Sequence, residues 1–538
     1  MTGDANSSPD AIVIGSGFGG AVSACRLAES GRRVVVLERG PSRTGSQFPR
    51  LGQGLSSWLW NDRWDGFFDL RVFRRIATLA SAGVGGGSHA YANVHIRAPG
   101  RTFRQGWPAG MGPELLAPYY DRVERTLGVT QLPDTIELEK TAAFDRIARE
   151  LGADLVRPNL AVHFSEQEPV AGSPVAYDRD PYGMGIAVEQ APCRMCGECD
   201  IGCTTNSKNT LDLNYLAIAT QRHGAEIRPG AEVKAIRPTN DGYRVHFKNR
   251  VTGRMENMWA PLVVLSAGTV NSNELLLRCK EELGTLPNIS DALGRHFSGN
   301  GDFLGATVNA DRPLNPWHGP TITRAIRHMD EEHHFYLEEG GFSPDLAFIV
   351  GAVKPRADYA RKFISGPLGY AARLQWFYKE VARMTGDSAA LERKLPSRTM
   401  IFLGMGEDAS DGRITLRKRL GRRPALDVEW DHGRTRPLIA KIEAELQRIS
   451  TALGGQYVAN PLWSVLGRLI TVHPLGGIAI ADSPDDGVLN PMGEVWGYPN
   501  LYVADGSAVP RAIGPNPSLT ISALAERTAE HITRSSKR

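Results

Sequence analysis

The stretch AIVIGSGFGG, residues 11–20, decides the fold. Ala11-Ile12-Val13-Ile14 is a short apolar run of the length and type expected of a buried strand. It passes directly into Gly15-Ser16-Gly17-Phe18-Gly19-Gly20, which spells G-x-G-x-x-G. A helix predicted from about Ala21 to Ser30 ends at Gly31, a residue suited to a left-handed C-cap. A second apolar strand follows at Val34-Val35-Val36-Leu37, with Glu38 at its end. A glycine triplet alone is a weak signal, but here strand, turn, helix, strand and acidic residue all stand in order, which predicts a dinucleotide site. Gly15 makes the turn, Gly17 lets backbone N–H groups approach a pyrophosphate, and Gly20 lets helix and strand pack. Glu38 can accept bonds from both ribose hydroxyls. The motif does not separate FAD from NAD. Its place at the head of a long chain favours a flavoprotein.

A second glycine run, Ala82-Gly83-Val84-Gly85-Gly86-Gly87-Ser88, leads into Tyr91-Ala92-Asn93. Three consecutive glycines expose backbone donors that suit a pyrophosphate or an isoalloxazine edge, the alternative being a flexible loop. Near the C-terminus stand His473-Pro474-Leu475-Gly476-Gly477, then Asp505-Gly506, then Gly514-Pro515-Asn516-Pro517. A histidine can take or give a proton near neutral pH, and an asparagine can orient a nearby oxygen by hydrogen bonding without competing for that proton.

As a set, Gly15–Gly20, Glu38, the run at 83–88, the segments around Val233 and 261–277, and the C-terminal segments at 473–477 and 498–520 resemble the glucose–methanol–choline (GMC) oxidoreductase family. The closest likeness is to its cholesterol-oxidase-like bacterial branch. The resemblance implies an α/β fold: an FAD-binding Rossmann-like domain from 8–50, 80–110, 190–300 and 470–535, and a mainly antiparallel-sheet substrate domain from 111–189 and 301–469. It implies His473 as catalytic base and Asn516 as its partner, with hydride passing from the carbinol carbon to the flavin. Cofactor contacts would come from Gly15, Gly17, Gly20, Glu38, Gly85, Gly86, Gly87, Ser88, Asn93, Val233, Asp505, Gly506 and Pro517. His89 lies one residue short of the place where some members attach FAD covalently, so non-covalent FAD is expected, with His89 and His95 as packing residues. The implied substrate is a bulky, hydrophobic or sterol-like secondary alcohol, although a primary alcohol or sugar-like group stays open. Steroid isomerisation would need a further carboxylate, for which Glu407 and Asp408 lie in a plausible region.

Cys193, Cys196, Cys199 and Cys203 stand at C-x2-C-x2-C-x3-C, the bacterial ferredoxin spacing, with Thr204 where proline usually follows. Three readings compete: an iron–sulfur cluster relaying electrons, a structural zinc site, and a metal-free cysteine loop. A cluster would direct electrons to an acceptor protein or quinone; without one, oxygen is the natural acceptor. Cys25 and Cys279 sit in helical apolar patterns and read as core.

Composition bounds the rest. Lys and Arg number 62 against 59 Asp and Glu, a net +3 that gives no pull toward nucleic acid. Glycine is over-used, 58 of 538 or about 11% against about 7% on average, as tight turns and close backbone approaches require. No apolar run approaches the roughly 18 residues of a membrane-spanning helix, and the polar start of the chain does not read as a signal peptide, so the expected compartment is the cytoplasm. The segment 362–384 is basic and amphipathic. It reads as a helix packed on the sheet, a lid over an apolar substrate, or a peripheral membrane contact. The segments FLGATVNA and GRITLRK are expected in one large antiparallel sheet, and the Arg-rich 419–426 in a solvated turn. Two other classes stay open: a flavoprotein lyase without net redox, and an electron-transfer module.

Overall fold

The computed structural model describes residues 8–50, 52–170, 172–343, 397–419, 421–464 and 466–535. The segment 362–384 and its candidate lid helix therefore lie outside the described residues.

The opening stretch folds as its pattern predicts. Strand β1 (Ala11–Ile14) is wholly buried, helix α1 (Phe18–Glu29) follows the glycine turn, and strand β2 (Val34–Glu38) pairs parallel to β1. Gly31, just past the helix, takes the left-handed φ of +91° expected of a C-cap. The complete sheet is parallel and five-stranded, in the order Glu226–Pro229, β2, β1, Leu262–Leu265, Leu501–Val503. The strand order reverses beside β1: the chain lays β2 and then Glu226–Pro229 outward on one side of it, and returns to lay Leu262–Leu265 and then Leu501–Val503 on the other. Ligands of open parallel sheets bind at such a switch point, outside the carboxyl ends of the strands. Those ends carry Gly15, Glu38 and Asp505 to one edge. Burial on both faces accounts for the unbroken apolar runs VVVL and LVVL, where an alternating pattern would leave one face wet.

The second large sheet is antiparallel and six-stranded. Its order is Gln456–Ala459, Phe303–Val308, Met400–Gly406, His334–Gly340, Ala325–Met329, Asp154–Val156. FLGATVNA enters it as expected, but GRITLRK does not. Arg413–Arg419 instead pairs with Arg422–Glu429 in a separate two-stranded ribbon, so residues 422–426 of the Arg-rich segment lie in a strand and not in a simple turn. The long C-terminal helix Ser518–Ser535 packs beside α1 and the helix Pro113–Leu127. Its buried Glu526 accepts from Arg26 Nε at 2.9 and 3.0 Å and from Tyr215 Oη at 2.8 Å, which joins the last helix to the first. No described helix is long and apolar enough to cross a membrane.

Candidate active site

The two glycine runs, about seventy residues apart in sequence, meet in space. Gly15 turns the chain at φ +95°, and a Cβ there would fall 2.3 Å from the carbonyl oxygen of Ser266. Gly86, at φ +52°, would carry a Cβ 2.7 Å from the Cα of Gly17. Only glycine fits such contacts. Ser16 ties the runs together: its Oγ donates to Glu38 Oε2 at 2.8 Å and accepts from Gly85 N at 3.1 Å. Glu38 is buried and also accepts from the backbone N–H of Ser16 and Gly40. Ser88 Oγ donates to the carbonyl of Gly85, and Gly87 continues the short helical turn that begins at Gly86.

These residues fit a dinucleotide. Gly17 caps α1 with no side-chain acceptor, and a Cβ on it would point into open space, so the helix N-terminus presents bare donors to a phosphate. Asn93 is buried at φ +67° beside the Cys199 thiol, and no nitrogen or oxygen satisfies its Oδ1 or Nδ2, which suits a polar ring edge. Asp505 lies at the carboxyl end of the strand Leu501–Val503. Its carboxylate accepts from Gly268 N, Ser272 Oγ, Ser507 N and Ser507 Oγ, so it holds the turn that contains Gly506. Val233 lies at a bulge in the strand Ala231–Thr239. Pro517 directly precedes the helix Ser518–Ser535, a position where its missing N–H costs nothing.

His473 is held by a carboxylate absent from the predicted site. Asp302 Oδ1 accepts from His473 Nδ1 at 2.9 Å, and its Oδ2 accepts from Thr471 Oγ1, Val472 N and His473 N. A carboxylate on Nδ1 fixes the tautomer and leaves Nε2 as the basic nitrogen. Asn516 donates from Nδ2 to Glu338 Oε2 at 3.3 Å, while its own Oδ1 is buried and unpartnered. Glu338 is fully buried, and its Oε1 also lacks a partner. Burial pushes this carboxyl up to about 8; the bond from Asn516 opposes the shift, and the charges of Asp302 and Glu339 add to it.

The carboxyl next to Asn516 is thus neither Glu407 nor Asp408. Glu407 accepts from Thr102 Oγ1 and faces His334, and both oxygens of Asp408 are occupied by surrounding donors. Sequence held a usable signal for Glu338, since two adjacent acids in the apolar run FYLEEGG require an explanation if the strand is buried. Asp302 had none beyond its place after a Gly-Asn-Gly turn.

His89 and His95 are internal, as expected. His89 Nε2 is 2.7 Å from the carbonyl of Val84, and burial pushes the His95 imidazole down to about 3. The four clustered cysteines do not form the centre that their spacing suggests. Among the described residues no three His, Cys, Asp or Glu side chains are gathered as metal ligands. Cys193 packs in an apolar cluster with Val94, Leu160 and Ile322, whereas Cys196 is exposed. The backbone around them is engaged elsewhere: Gly319 N donates to Met195 O, and Lys208 Nζ donates to Cys199 O, His89 O and Tyr91 O. An iron–sulfur or zinc site does not fit this arrangement.

Comparison with known proteins agrees with this geometry. Residues 13–48 match an NAD(P)-binding Rossmann-like domain, and residues 183–297 and 408–525 match GMC oxidoreductase. A cholesterol oxidase of Acinetobacter baumannii is 30% identical, over 97% of this chain and 94% of that protein. One from Mycobacterium tuberculosis is 32% identical, over 97% and 90% respectively. The solved structure of a formate oxidase superposes with a TM-score of 0.63 at 15% identity, covering 99% of each chain. The chain therefore belongs to the GMC oxidoreductase family, and is an FAD-dependent oxidoreductase acting on CH–OH groups.

Proposed function

We propose that the chain oxidises a bulky, hydrophobic secondary alcohol of the sterol type to a ketone, with His473 as base, Asn516 as orienting partner and oxygen as the final electron acceptor. The observation that carries this reading is the 2.9 Å contact between Asp302 and His473 Nδ1. With Nδ1–H engaged, Nε2 is free to take the hydroxyl proton, and the adjacent carboxylate stabilises the imidazolium that results. Asn516 can direct its unpartnered Oδ1 to a donor on the substrate or cofactor. Bound non-covalently, FAD supplies the two-electron acceptor for the carbinol hydride. Gly17, Gly85–Gly87 and Glu38 would hold its pyrophosphate and ribose, and Asn93 its ring edge. The sterol class and oxygen as acceptor are both supported by the two cholesterol oxidases at 30–32% identity. Six free thiols fit a reducing compartment, and we place the enzyme in the cytoplasm.

Glu338 favours a second step on the same site. As the carboxylate, a buried carboxyl held up to about 8 can take a proton from the α carbon of a β,γ-unsaturated ketone and return it to the γ carbon, which moves the double bond into conjugation. Anaerobic mixing of the flavin-loaded protein with cholesterol tests the main reading. Bleaching of the flavin absorbance by cholesterol, and not by short alcohols or sugars, is expected. Bleaching by short alcohols alone overturns the substrate class, and no bleaching by any alcohol overturns the oxidation. Appearance of a conjugated enone product, lost in Glu338→Gln, tests the second step.

A further inference from the structure

One buried turn, Ser298 to Asp302, reaches both side chains that the proposed function puts at the reacting atoms. At one end Asp302 holds His473, as described. Two residues earlier, Asn300 brackets the backbone that carries Asn516. Its Oδ1 accepts from Ile513 N at 2.9 Å and Gly514 N at 3.1 Å; its Nδ2 donates to Gly514 O at 3.2 Å and Pro515 O at 3.0 Å. Asn300 is fully buried at φ +53°, a left-handed conformation that asparagine tolerates.

Behind the turn lies Asp408. Its carboxylate accepts from Ser298 Oγ at 2.8 and 2.9 Å, from Gly299 N and Gly301 N at 3.0 Å each, and from Ser410 N at 2.8 Å. Ser298 Oγ in turn accepts from Asn300 N at 2.9 Å. On the other side Ser410 Oγ donates to Asp408 Oδ1 at 3.2 Å and accepts from Ala512 N at 2.8 Å. No described hydrogen bond joins Asp408 to His473 or Asn516 themselves. Its bonds reach the first through the turn and Asp302, and the second through Asn300 and through Ser410.

We propose that Asp408 is a positioning residue, which fixes the separation and orientation of His473 and Asn516 by holding the turn Ser298–Asp302 and the segment 512–515 against one carboxylate. The proposal rests on the proposed roles of those two side chains. A constellation of this kind must be held within about 0.5 Å, and a displacement of about 1 Å can cost on the order of a hundredfold in rate. A carboxylate suits the task because it accepts from several N–H and O–H donors at once and offers none of its own.

The test uses the full, flavin-loaded chain and reads two quantities. Amide hydrogen exchange needs no substrate: Asp408→Asn should accelerate exchange at Val472–His473 and at Ala512–Gly514 together, whereas Asn300→Gly should accelerate Ile513–Gly514 alone. In turnover, Asp408→Asn should slow flavin reduction by roughly 10- to 100-fold with KM within about twofold. Asn300→Gly combined with Asn516→Ala should be no slower than Asn516→Ala by itself, since the first acts through the second. Should Asp408→Asn not retain flavin, Ser298→Ala removes one hydroxyl from the same link and carries the same exchange test. Exchange that is unchanged at both segments, or raised throughout the chain, overturns the proposal. So does a double variant whose loss is the product of the two single losses. If no alcohol reduces the wild-type flavin, the proposed function fails, while the exchange pattern still decides for or against Asp408.

Discussion

Glu338 and Glu339 are neighbours on one strand, and both are fully buried, yet their surroundings are opposite. Successive side chains of a strand point to opposite faces, and this strand is central, so each glutamate is covered by a different part of the protein. Glu339 meets Lys140 Nζ at 2.7 and 2.9 Å, and also accepts from Thr323 N and Thr323 Oγ1. Glu338 has one 3.3 Å bond from Asn516 and an oxygen with no partner. A buried charge that is fully paired serves the fold, whereas a buried carboxyl with unused capacity next to a proposed catalytic asparagine is poised for proton chemistry. The residue type and the burial are the same; the partners make the difference.

The contrast can be broken most forcefully at Lys140. Lys140→Met leaves the Glu339 carboxylate buried and unpaired, and should lower stability by about 3–5 kcal/mol. Lys140→Met/Glu339→Gln should recover most of that loss, because no uncompensated charge remains. Chemical denaturation of the three proteins measures both, and equal losses in the single and double variants would show that the pair is not the stabilising unit.

On the other face the effect should appear in rate. His473→Ala should reduce the rate of flavin reduction by about 10²- to 10⁴-fold, the usual contribution of a positioned base, with flavin content unchanged. Stopped-flow bleaching under nitrogen reads it, and a loss under threefold would remove His473 from the chemistry.

A smaller effect, in stability against pH, sharpens the comparison. The unfolded chain releases the Glu338 proton near the ordinary 4.5, whereas the folded chain keeps it to about 8. Between those values the folded state binds more protons, so Glu338 makes stability fall as pH rises. Glu338→Gln should flatten that slope and be the more stable protein at pH 8. Thermal midpoints from pH 5 to 9 decide this, and parallel curves for the two proteins would show that the carboxyl titrates normally.

The smallest expected change is at the cysteines. Cys196→Ser, at an exposed position that belongs to no gathered ligand set, should shift stability by no more than about 0.5 kcal/mol and leave the flavin reduction rate intact. Iron or zinc analysis of the same preparations is expected to give no stoichiometric metal. About four irons per chain, lost in Cys196→Ser, would restore the relay reading.

Much of the nucleotide end was written in local sequence. The run from Ala11 to Glu38 is a single strand–turn–helix–strand unit, in which glycine spacing, apolar runs and a C-cap act over a few residues each, so reading along the chain captures them. Asn93 was legible for the same reason, as part of a short motif. The cysteine run shows where local reading stops short. Spacing fixes how far apart four cysteines are along the chain and left three readings open, and among the described residues no set of three ligands gathers. The edge strand GRITLRK was misassigned because alternation identifies a strand without naming its partner.

By itself, then, the sequence determined the dinucleotide unit, the parallel core strands and the identities of His473 and Asn516 as residues worth testing. Only the tertiary structure decided that Asp302 holds His473, that Glu338 and not Glu407 or Asp408 meets Asn516, and that Asp408 holds the turn between them. The physical reason is distance along the chain. Asp302 and His473 are 171 residues apart, and Glu338 and Asn516 are 178 apart. The partners of a buried polar group are chosen by packing between elements, and no local pattern encodes that choice.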